Sequence, residues 1–77
     1  MNKQVRKQLT DFISSLQLLQ DEVNDVLEEQ NDILDNIPEN LQGSEQYERQ
    51  EEAIDALGNA ASYLDDVMQE LTNAINA

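Results

Sequence analysis

An apolar spacing of alternating threes and fours runs through most of this chain and is interrupted once, around a proline. From Val5 it passes through Leu9, Phe12, Leu16, Leu19, Val23, Val26, Gln30, Ile33 and Ile37, so nine of ten positions are apolar. A second column, Ile13, Gln20, Leu27 and Leu34, lies beside the first. With Leu9 at heptad position a, the apolar surface covers a, d and e. A period near 3.6 requires an α-helix with one wide buried face, and no alternation of period two competes with it.

The rule resumes beyond the proline. Tyr47, Gln50, Ile54, Leu57, Ala61, Leu64, Met68, Leu71 and Ile75 again step by three and four. With Tyr47 at a, the flanking column Ala53, Ala60, Val67 and Ala74 falls at g. Small side chains at that edge would let a neighbouring helix come close. Gly58 sits inside the pattern, where it costs about 1 kcal/mol against Ala. It reads either as a tight contact or as a tolerated interruption.

The connection is Asn36-Ile37-Pro38-Glu39-Asn40-Leu41-Gln42-Gly43-Ser44. Pro38 disfavours helical geometry at Ile37, so the first helix should end near Asn36. Gly43 can adopt positive φ, and Ser44 is a good N-cap, followed by Glu45 and Glu48 at the positive end of the dipole. Leu41 is expected to turn inward and plug the hairpin end. The expectation is an all-α fold: an antiparallel helical hairpin with helices over 4–35 and 45–75 and a loop over 36–44. Each helix would be roughly 45 Å long at about 1.5 Å per residue.

Two helices cannot hide both stripes. One partner covers an a and d seam, which leaves the e column of the first helix and the g column of the second. A chain this short is also marginal as a lone hairpin. Self-association into a four-helix bundle, as a two-fold homodimer, would cover the remainder. The self-association core would comprise Phe12, Ile13, Leu16, Leu27, Leu34, Leu57, Leu64, Val67, Met68 and Leu71. Gln30 and Gln50 interrupt the seams at comparable heights and could hydrogen-bond to fix the register.

Charge is distributed unevenly. The net formal charge is -13, from seventeen acids and four bases, and three of the bases are Lys3, Arg6 and Lys7. An antiparallel pair of hairpins would bring this basic tip to the partner's loop acids Glu39, Glu45 and Glu48. Asp21, Asp25, Glu28, Asp32 and Asp35 form a column on the first helix, and Glu48, Glu52 and Asp55 extend the acidic surface on the second. The plain reading is a solvated face. A sharper one is mimicry of nucleic acid, because carboxylates three and four residues apart stand about 5–6 Å from one another. Leu18 and Tyr63 fall at c, off both stripes, and are candidate anchors for a partner.

Composition excludes several functions. With no His and no Cys, imidazole and thiolate metal sites lack ligands, and a nucleophile lacks its usual base. No catalytic residue, cofactor or metal is therefore expected, and the chain is read as non-enzymatic. The acidic balance argues against direct nucleic-acid binding. No apolar run approaches a membrane span, and no hydrophobic core follows the basic tip as in a signal peptide. A cytoplasmic location in a bacterial cell is the expectation.

The segment Asn36 to Glu48, with the downstream Glu52-Ala53-Ile54-Asp55-Ala56-Leu57, resembles a stretch found in short acidic helical proteins of bacteria and their phages. Those usually carry Arg where this chain has Gln46. The resemblance covers about 25 residues, and the first helix matches only in pattern. It implies a helical hairpin of bacterial or phage origin and carries over no site residue. The expected function is an acidic protein-binding module, as an inhibitor or modulator occupying a basic, nucleic-acid-binding surface. The alternative is a scaffolding bundle that acts by self-assembly.

Overall fold

A computed structural model describes all 77 residues. Helix α1 spans Lys3–Asp35 and helix α2 spans Glu45–Asn76, with one turn of 3-10 helix at Glu39–Leu41 between them. The helices pack side by side as a hairpin and there are no strands. The rod measures 59 × 16 × 12 Å. Its radius of gyration is 17.5 Å, against about 11–12 Å for a compact chain of this length, so the fold has one long seam and no globular interior.

Local chemistry sets the helix ends. The Asn2 side-chain oxygen accepts from the Val5 amide at 2.8 Å, and Ser44 Oγ accepts from the Tyr47 amide at 3.2 Å. Each bond satisfies one of the amides that a helix start leaves without a partner. Glu45 and Glu48 occupy the first turn of α2, while the first turn of α1 has no acid. At the far end of α1, Asn36 donates from its side chain to the Asp32 carbonyl at 2.8 Å. Helical geometry stops before Pro38, as its steric effect on the preceding residue requires.

Two loop expectations are corrected. No residue has positive φ, so Gly43 does not use the freedom it offers. The amide of Leu41 donates to the Pro38 carbonyl at 2.9 Å and that of Ser44 to the Leu41 carbonyl at 3.1 Å, which turns the chain without any left-handed residue. Leu41 does not plug the end of the hairpin. It is 49% exposed and lines a hollow of ≈ 310 Å³ with Ile33, Ile37, Pro38 and Tyr47.

The seam differs from the expected one on α1. Leu9, Ile13, Leu16, Gln20, Val23, Leu27, Gln30, Leu34 and Ile37 are its buried or half-buried positions, which are a and e. The d column is the one left open: Val5, Phe12, Leu19, Val26 and Ile33 are 36–51% exposed. Because a and e are separated by only about 40° around a helix, they define a seam as well as a and d do. Position e carries Ile13, Leu27 and Leu34, so the rotation hides three large aliphatics and exposes four others with Phe12. On α2 the seam uses a and d as expected, and Ala53, Ala60 and Val67 at g are exposed.

Candidate interaction surfaces

Burial is thin throughout the molecule. Only Ala61, Met68 and Gln20 are buried. Gln20 holds this position because its amide nitrogen donates to the Ala61 carbonyl at 2.9 Å and to Asp65 Oδ1 at 2.7 Å. The small side chain of Ala61 leaves room for that approach. Nearer the loop, Gln50 Nε2 donates to Gln30 Oε1 at 2.7 Å. The two glutamines that interrupt the stripes therefore meet across the seam. Sequence spacing marked Gln20 only as a gap in a column and missed its partners, which lie more than forty residues away.

These pairs also set the relative heights of the helices. Gln20 is level with Ala61 and Gln30 with Gln50. By the same register Val5 is level with Ala74, Phe12 with Val67, Leu19 with Ala60 and Val26 with Ala53. The open columns share one face of the hairpin. At about 100° per residue, d lies about 80° to one side of the α1 seam, and g about 90° to the same rotational side of the α2 seam. In antiparallel helices that common sense brings both columns to a single face. Of the expected self-association core, Phe12 and Val67 belong to this open face. Ile13, Leu16, Leu27, Leu34, Leu57, Leu64 and Leu71 are half-buried in the hairpin seam, and Met68 is buried there.

The opposite face carries Thr10, Gln17, Asn24 and Asn31 from α1 and Ser62, Asp65 and Gln69 from α2, all exposed. The rod therefore has one apolar broad face and one polar broad face. The chain exposes 5823 Å² in all, about 1,000 Å² more than the roughly 4,800 Å² usual for a folded monomer of 8.8 kDa, as its elongated shape requires.

All eight residues expected on the acidic face are exposed, but they do not form one sheet of charge. Asp21, Asp25, Glu28, Asp32 and Asp35 lie on the side of α1 turned from α2. Glu48, Glu52 and Asp55 lie on the outer and polar sides of α2. Folding collects them by height instead. Thirteen of the seventeen acids lie between residues 21 and 55, which is the loop half of the rod, together with one base, Arg49. That half carries -12, and the half holding the chain termini carries -1 from four acids and three bases. Arg49 pairs with Glu45 in the molecule's one salt bridge.

No protein-family model, curated protein or solved structure matches this chain.

The remaining candidates are isolated. Leu18 and Tyr63 are 65% and 66% exposed, on different helices and away from the seam. No group of acids is arranged to hold a metal ion, and no helix is long and apolar enough to cross a membrane. The hollow at the loop end opens beside Ile33, at the end of the apolar face.

Proposed function

We propose that this chain is a non-enzymatic protein-interaction module whose hairpins pair through their apolar faces into a four-helix bundle. The observation that carries this reading is the single face formed by Val5, Phe12, Leu19, Val26 and Ile33 with Ala53, Ala60 and Val67. Five large apolar side chains of this face are 36–51% exposed, and burying them against a second copy would supply the apolar contact that a lone hairpin lacks.

The acidic half is what such a bundle offers to other molecules. A rod half carrying -12 would attract a basic protein surface, steer its approach and lose it as salt rises. Carboxylates at helical spacing on α1 favour the reading in which that basic surface ordinarily holds nucleic acid. The scaffolding alternative uses the apolar face alone, with the acids serving solubility.

Two measurements test these points. Sedimentation at micromolar concentration should report twice the chain mass, and a stable folded monomer would remove the pairing. Capture of proteins from bacterial lysate should then be repeated at about 50 mM and about 500 mM salt, across which the Debye length falls severalfold. Basic nucleic-acid-binding proteins should be held at the lower salt and released at the higher one. Equal capture at both would reject the decoy reading and favour scaffolding.

A further inference from the structure

The apolar face admits a second copy in two orientations, and the charge partition separates them. In one, the two-fold axis runs along the rod. Both loops then share an end, and α1 lies over the partner's α2. In the other, the axis crosses the rod at its middle. Each loop then lies at the partner's termini, and α1 lies over α1.

Packing volume does not choose between them. Each layer holds two large side chains from the α1 columns and two small ones from the α2 columns in either case. The columns also permit the crossing axis. Val5, Phe12, Leu19, Val26 and Ile33 are centred on Leu19, near the middle of α1. Ala53, Ala60, Val67 and Ala74 are centred between Ala60 and Val67, near the middle of α2. A two-fold axis at the height of Leu19, which is also that of Ala60, lays each column along its own copy, with Leu19 beside Leu19, Ala60 beside Ala60 and Ala53 beside Val67 of the partner.

Charge does choose. Loops at one end would stack a -12 half on a -12 half. Reversing one copy sets each -12 half beside a -1 half that carries Lys3, Arg6 and Lys7. The product of facing charges falls roughly six-fold, and Coulomb energy scales with that product. The acids and bases concerned are exposed, so screening weakens the preference without changing its sign.

We infer that the occupant of the apolar face is a second copy of this chain in the reversed orientation, with each acidic loop half lying along the partner's basic-tipped half. This rests on the pairing proposed above and adds its geometry. The dimer then has an equivalent acidic patch at each end instead of one doubled patch. A basic partner would bind at two separated sites.

Spin labels on introduced cysteines test the orientation, since the chain has no native Cys. Asn40 is exposed in the loop and is a suitable site as Asn40→Cys. In the reversed dimer two labels there should be about 50 Å apart, the span of 33 helical residues at about 1.5 Å each. Mixing protomers labelled at Asn40→Cys with others labelled at Lys3→Cys should add a short distance. An Asn40→Cys pair within about 20 Å, as neighbouring axes about 8–10 Å apart would give, overturns the reversed orientation and leaves the pairing standing. Absence of any dipolar signal in both samples, with a monomer mass in sedimentation, overturns the pairing itself.

Discussion

Gln20 shows how one polar side chain can serve a seam of aliphatics. It is 8% exposed, and both hydrogen bonds that its amide nitrogen donates reach α2. The Ala61 carbonyl lies within a helix and Asp65 can turn to water, so losing Gln20 orphans neither acceptor. Gln20→Ala should destabilise the protein by about 1–2 kcal/mol through lost packing and hydrogen bonds. Gln20→Leu should stay within about 1 kcal/mol of the parent, because burial of its methyl groups offsets the lost bonds. Urea unfolding of both variants checks the difference, and equal large losses would mean that the hydrogen bonds dominate. Gly58 presents the converse case. A Cβ placed on it meets nothing within 4 Å, so it marks no tight contact. Gly58→Ala should therefore stabilise the helix by about 0.5–1 kcal/mol, read as a rise in urea midpoint. Sequence spacing left both possibilities open for this glycine, since the distance to the neighbouring helix is a tertiary quantity.

Each helix carries three apolar columns and can show two of them to its partner. On α2 the third column is mostly alanine, so leaving it out sacrifices little burial. On α1 the two flanking columns have similar weight: d carries Val5, Phe12, Leu19, Val26 and Ile33, and e carries Ile13, Gln20, Leu27 and Leu34. Gln20 has hydrogen-bond partners on α2, and this favours e as the covered column. The two columns should consequently respond differently to substitution. Phe12→Ser with Leu19→Ser should abolish association in sedimentation, and helical circular dichroism should fall with it, because the lone hairpin is marginal. Leu27→Ala, in the seam, should lower stability by about 2 kcal/mol. Continued association of the double variant at twice the chain mass would place the d column outside the pairing surface.

At the scale of the molecule, hydrophobic and electrostatic terms oppose each other. Thirteen acids in one half of a thin rod repel one another along both helices, with Arg49 as the only base among them. Salt should thus raise the melting temperature, most steeply below about 0.15 M, where the Debye length exceeds about 8 Å. Thermal unfolding followed at about 10 mM and about 300 mM sodium chloride checks this, and a fall with added salt would show that attractive pairs outweigh the repulsion. Association should strengthen over the same range, since salt also favours apolar burial.

The three-four spacing, Pro38 and Ser44 determined by themselves that this chain forms two long helices joined by a short turn, because helix period, proline sterics and capping are local properties. The α2 seam was equally legible, its edge being marked by alanine. Which column of α1 turns toward α2 was decided only in the tertiary structure, since it depends on Gln20 meeting Ala61 and Asp65 across the seam. The acidic half was legible too, since its thirteen acids form one stretch over residues 21–55 around Pro38. The same rotation of α1 placed the unburied columns together on one broad face, a fact of spatial proximity that a one-dimensional spacing does not contain.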